Sequence, residues 1–167
     1  IVDPENSKTL AIGETGEVCL KSPQMMQGYW QLETATQEAI VEGWYCTGDA
    51  GYIDEEGYLY IKDRIKDMII SGGENVYPAE VENVLMAHDL INEVAVIGLA
   101  DEKYGEAVAA VYVAKDGAEL DTDALIDFCR EKIAGYKIPR QYHSIEVLPR
   151  NAAGKILKRN LKEMLKS

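Results

Sequence analysis

The chain has 167 residues, 47% hydrophobic and 28% charged, a balance that argues against intrinsic disorder and suits one ordinary domain or two small ones. With 17 Lys and Arg against 29 Asp and Glu, the formal charge of −12 argues against a nucleic-acid binder. No apolar run reaches the roughly 18 residues that a membrane-spanning helix needs.

The N-terminus shows no basic, apolar and cleavage-site succession, so no secretory signal is read there. The chain begins at Ile1, inside what reads as a strand, and is taken as a piece of something longer. Cys19, Cys46 and Cys129 lack metal or redox spacing, which makes a reducing cytoplasm the expected location.

In chain order, Gly16 to Ser22 alternates around Val18 and Leu20 as a strand does. Glu33 to Val41 suits a short helix, and Tyr52 to Lys62, broken at Glu55-Glu56-Gly57, reads as a hairpin. From Lys66 onward, strands alternate with amphipathic helices. Met68-Ile69-Ile70 is a short apolar run ending at Gly72-Gly73. Pro78 suits the first turn of a helix on which Val81, Val84, Leu85 and His88 recur. Val94 to Leu99 and Ala107 to Val113 read as strands joined by a polar turn. Asp121 or Thr122 caps a helix bearing Leu125, Ile126, Cys129 and Ile133. A strand near Tyr142 to Val147, a Gly-containing loop and a Lys-rich helix complete the chain. The change of pattern near residue 65 predicts a small β-rich piece followed by an α+β domain of about 100 residues.

Charge is unevenly shared. Residues 1–129 hold 7 basic and 26 acidic side chains, whereas residues 130–167 hold 10 and 3. Two readings stay open: a solvated basic helix, or a basic tail that meets a small polyanion. Gly72-Gly73, after a strand and before a helix, is either a phosphate-type loop or a plain turn. Gly154-Lys155 is followed by Ile156, so the Walker pattern is absent. Asp49, on a glycine-flanked turn, is either a turn residue or a carboxylate able to accept hydrogen bonds from a ribose diol. His88 and His143 have no partner at ligand spacing and read as core or surface residues.

Three segments gain meaning together: GWYCTGD at 43–49, DRIKDMIISGGENVYPAEVE at 63–82 and LPRNAAGKILKRNLK at 148–162. In order, spacing and residue type they resemble the last motifs of the adenylate-forming superfamily, and SGGENVYPAEVE is similar to its acyl- and aryl-CoA synthetases. The resemblance implies an α+β fold: a small β-rich remnant of a large N-terminal adenylation domain over residues 1–65, then a compact, mobile C-terminal lid domain over 66–167. It implies an ATP-dependent, AMP-forming acyl-CoA synthetase, with a fatty acid the preferred substrate. The partners implied are a carboxylic acid, ATP with Mg2+, CoA and the N-terminal domain of the same chain, and no metal site is expected within the fragment. The fragment alone is expected to be inactive.

By the same resemblance, Lys155 is the lysine inserted for adenylation, where one ammonium offsets charge growing on the phosphoryl oxygens. Asp49 would hold the ribose hydroxyls, and Arg64 would assist at ribose or phosphate. Lys66 lies at the hinge. Gly72 and Gly73 would line the pantetheine tunnel, with Tyr104 and Tyr136 against the CoA adenine and Lys137 and Arg140 near its phosphates. One departure concerns the loop before the lysine, often Thr-x-Ser-Gly-Lys in the family: here Ala153 removes a hydroxyl. The alternatives are a stand-alone nucleotide-, CoA- or partner-binding module, or a ligase whose acceptor is a carrier protein.

Overall fold

In a computed structural model that describes residues 1–115, 118 and 120–166, the chain divides into two units, Ile1–Lys66 and Asp67–Ser167. The first unit contains strand β1 (Gly16–Leu20), helix α1 (Glu33–Ala39) and strands β2 (Ile40–Val41), β3 (Trp44–Ile53) and β4 (Leu59–Arg64). All pairings are antiparallel, with β3 joined to β1, β2 and β4. Val41 pairs with Trp44, and between them Glu42 (φ +51°) and Gly43 (φ +80°) make a two-residue turn with both residues left-handed, the turn whose twist matches its strands. Val18 and Ala50 are the only buried apolar side chains described here, while Ile12, Trp30, Leu32, Tyr58 and Ile61 are exposed.

The second unit contains β5 (Ile69–Ser71), β6 (Glu74–Val76), α2 (Pro78–Met86), β7 (Ile91–Asp101), β8 (Gly105–Ala114), α3 (Thr122–Arg130), β9 (Gln141–Ser144) and α4 (Lys158–Met164). Its sheet runs β6-β5-β8-β7, and β9 lies parallel to β8. The unbroken apolar runs of β7 and β8 follow from burial on both faces, as side chains alternate across a strand. Val94, Val96, Val108, Ala110 and Tyr112 face one cluster with Val81, Leu85, Leu125 and Cys129. Ala95, Ile97, Leu99, Ala109 and Val111 face the other, closed by Leu148 and Leu161. Helices α2 and α3 therefore cover one face and α4 the other. Each large aliphatic buried here contributes roughly 1.5–3 kcal/mol.

Asp121 caps α3, its carboxylate accepting from the Asp123 amide at 3.2 Å. Several expectations are corrected. Gly72-Gly73 does not lead into a helix: the short strand β6 intervenes, and the two glycines (φ +63° and +87°) form the β5–β6 turn between paired Ser71 and Glu74. The strand expected near 142–147 covers Gln141–Ser144, α1 gives way to β2 at Ile40, and His88 lies beyond the end of α2, edge-on to Phe128 with centroids 5.0 Å apart.

Candidate functional site

Lys155 belongs to a loop closed by a bridge between Arg150 and Ile156. The Asn151 amide donates to the Lys155 carbonyl, and the Gly154 amide to the Asn151 carbonyl, each at 2.9 Å. Asn151 Oδ1 accepts from the amides of Ala153 (3.0 Å) and Lys155 (2.9 Å), an Asx arrangement that gives the loop its shape without a hydroxyl at 153. Gly154 has φ +80°, which glycine adopts without steric cost. Arg150 spans the loop, donating to the Gly154 carbonyl at 2.6 Å and to Glu93 on β7 at 2.8 Å. The Lys155 backbone is thereby fixed, its residue exposed.

The basic C-terminal region is largely paired with carboxylates, most of them from the acidic stretch before residue 130. Arg130 pairs with Asp127, Lys132 with Glu131, Lys137 with Glu80, Arg150 with Glu93, Lys158 with Glu82, Arg159 with Glu163 and Lys162 with Glu106. Arg140 instead stacks on Tyr104, its guanidinium carbon 3.8 Å from the ring centroid. Among the described residues, no carboxylate pairs with Lys155. A basic tail acting on an anion thus reduces to a few cations, with Lys155 foremost.

Asp49 lies within β3, not on a turn, in register with Arg64 of β4, and its Oδ1 stands 3.2 Å from Arg64 Nε. The flanking glycines serve the strand. Gly48 takes φ +71°, and a Cβ on Gly51 would stand 2.5 Å from the Tyr60 carbonyl oxygen. Two residues unmarked in the sequence position this segment: Thr47 Oγ1 donates to the Val18 carbonyl (2.9 Å) and accepts from the Asp49 amide (3.0 Å), and Glu17 accepts from the Gly48 amide (3.0 Å). The carboxylate remains partly exposed, at 31%.

Lys66 is exposed in a single 3-10 turn, Ile65–Asp67, at the boundary between the two units. Gly72, Tyr104 and Arg140 come together: the Gly72 amide donates to the Tyr104 carbonyl at 2.9 Å, and a Cβ on Gly72 would meet Tyr104 Cδ1 at 3.3 Å. Beside Gly73 a Cβ would meet nothing within 4 Å, so its requirement is conformational. Tyr136 and Lys137 form a separate group. Lys137 Nζ donates to both oxygens of Glu80 at 2.7 Å. Burial lowers the pKa of this ammonium, but the hydrogen bonds and charge of Glu80 outweigh that and hold it above the ordinary lysine value, with Tyr136 assisting. The Lys137 ammonium is thus already engaged by Glu80.

His143 lies in β9, 3.3 Å from Gln141 Oε1. Glu17, Cys19 and Cys46 bring one carboxylate and two thiols within 4.8 Å of one another. A hollow lined by Tyr112, Leu120, Ser144 and Glu146 contains none of the expected site residues. No helix among the described residues is long and apolar enough to cross a membrane.

Residues 80–155 match the family model of the AMP-binding enzyme C-terminal domain. A 2-succinylbenzoate–CoA ligase of Geobacillus kaustophilus is 48% identical over 161 residues, covering 96% of this chain and 33% of that protein. The long-chain-fatty-acid–CoA ligase FadD13 of Mycobacterium tuberculosis is 53% identical over 148 residues, 89% of this chain and 29% of that protein. In structure, the chain is similar to the o-succinylbenzoate CoA synthetase of Bacillus subtilis in complex with its acyl-adenylate intermediate, with a TM-score of 0.89 and 41% identity over 96% of this chain and 33% of that one. The chain spans about a third of the length of these relatives. Its order of motifs, its α+β architecture and its relatives agree: residues 80–155 form an AMP-binding enzyme C-terminal domain, and the chain's relatives are CoA ligases.

Proposed function

We propose that this chain is the C-terminal portion of an AMP-forming acyl-CoA synthetase, which joins a carboxylic acid to ATP as an acyl-adenylate and then passes the acyl group to CoA. The observation that carries the reading is Lys155, an exposed ammonium with no carboxylate partner among the described residues, on a backbone held by Asn151 and Arg150. In the first half-reaction the substrate carboxylate attacks the α-phosphorus and pyrophosphate leaves. Two anions approach, and a positioned cation at the phosphoryl oxygens lowers the barrier. Asp49 accepts from the ribose hydroxyls while Arg64, already 3.2 Å from it, supplies positive charge beside the nucleotide.

Residues 1–65 belong, in this reading, to the end of the large adenylation domain. Their few buried apolar side chains and many exposed ones are what a β-rich piece shows when its core is completed by other residues. Residues 66–167 form the mobile lid, pivoting at Lys66 so that Lys155 withdraws after adenylation. Gly72 and Gly73 then border the pantetheine path, Tyr104 and Tyr136 offer rings to the adenine, and Arg140 offers charge to the phosphates. Lys137 joins Arg140 there only on leaving Glu80.

The acid is proposed to be a long-chain fatty acid, supported by the 53% identity to FadD13. A succinylbenzoate-type aryl acid is the second reading, supported by a ligase for that acid being 48% identical over 96% of the chain. The full-length protein, given a panel of such acids with ATP and Mg2+, should release AMP steadily only when CoA is present. Steady AMP release without CoA, or release that depends on a carrier protein, would refute the acceptor proposed here.

A further inference from the structure

Independent of that reading, the first unit contains a thiol pair that the proposed chemistry leaves unused. Cys19 on β1 and Cys46 on β3 are register partners in the antiparallel ladder, and their Sγ atoms lie 2.8 Å apart. A disulfide bond is about 2.0 Å long, and it forms where the backbone already brings the two side chains face to face. The pair lines a cavity of about 290 Å³ with Ile1, Val2, Trp44 and Val41, and neither cysteine is buried, whereas Cys129 is. In the described chain the pair is open to a small oxidant through this cavity. Glu17 completes a three-donor group. However, two thiolates on one zinc at about 2.3 Å each stand roughly 3.7 Å apart, farther than these sulfurs. The separation favours sulfur bonded to sulfur.

We infer that Cys19 and Cys46 form a reversible cross-strand disulfide, a redox modification site that staples β1 to β3 three residues before Asp49. The oxidant is a small disulfide such as oxidised glutathione. The Cys46 thiolate attacks one glutathione sulfur, and a glutathione thiolate leaves, taking up the proton that Cys46 gave. Cys19 then displaces the second glutathione from Cys46, and its proton ends on that leaving thiol. Two protein thiols and one glutathione disulfide become one protein disulfide and two glutathione thiols. Burial, together with the hydrogen bond and charge of Cys46 and the charge of Glu17, raises the Cys19 thiol above its ordinary value, so the exchange should be slow at neutral pH.

The test is to equilibrate the full-length protein with oxidised glutathione, cap remaining thiols with N-ethylmaleimide, digest without reductant and weigh the peptides. A species joining the Cys19 and Cys46 peptides, two hydrogens lighter than their sum and abolished by dithiothreitol, is expected. The Cys19→Ser variant should instead retain one glutathione on Cys46. Both cysteines capped by N-ethylmaleimide, each holding glutathione without a link, or either linked to a different cysteine would overturn the inference.

Discussion

Ion pairing sets Lys155 apart from Lys137 and Lys158. Lys137 and Lys158 each reach a carboxylate on α2, at 2.7 Å from Glu80 and Glu82 respectively, and Glu82 also accepts from the Val96 amide of β7 at 2.8 Å. Such partners lie far apart in the chain, so the sequence showed a basic tail without showing what neutralises it. The loop that carries Lys155 was legible because Gly154 and Asn151 mark a tight turn; Arg150 and Glu93, which brace that loop, carried no local signal. The Lys137 pair has a pH signature. Its folded pKa lies above the unfolded value, so its contribution to stability is complete below about pH 10.4, the ordinary lysine value, and is lost as pH rises through the folded one. Denaturant midpoints measured from neutral to strongly alkaline pH should fall less steeply above that point in Glu80→Gln, which is less stable at neutral pH, than in the unaltered protein. Parallel curves would mean that the pair contributes nothing.

At the level of elements, β7, β8 and the Asp121-capped α3 were readable because apolar period and cap chemistry act locally. The β5–β6 hairpin was not. Strand β6 is three residues long, Glu74-Asn75-Val76, too short and too polar for alternation to register. Its turn needs φ > 0 at both central residues, which explains the paired glycines without any phosphate. Asp49 was misplaced for a related reason: Gly48 and Gly51 resemble turn residues, yet one takes a left-handed conformation inside a strand and the other admits the Tyr60 backbone. Because Gly73 has φ +87° and open space around a Cβ, Gly73→Ala should cost about 1–2 kcal/mol through backbone strain alone, and Gly73→Asn distinctly less. Urea denaturation of the two variants checks this; equal losses would show that the turn is not held in that conformation.

At the scale of the whole chain, two units meet between Lys66 and Asp67, and the contrast in their cores is large. The second unit closes both faces of its sheet, and the first leaves broad apolar surface uncovered. Only the resemblance of three separated motifs pointed to the proposed site, since Asp49, Lys66 and Lys155 are individually ordinary. A pivot at Lys66 would serve both half-reactions in turn, and proline there fixes φ and removes an amide donor. In the full-length protein, Lys66→Pro should slow one half-reaction on the order of tenfold or more while sparing the other; equal rates for both would argue against a hinge at this position. The most direct measurement compares Lys155→Ala with the unaltered full-length protein in each half-reaction separately. Adenylate formation should fall by at least about 100-fold, the scale set by losing one preorganised charge contact at a reacting centre. Thioester formation from a supplied acyl-adenylate and CoA should stay near normal. Equal loss in both steps, or adenylation that survives without Lys155, would contradict the account.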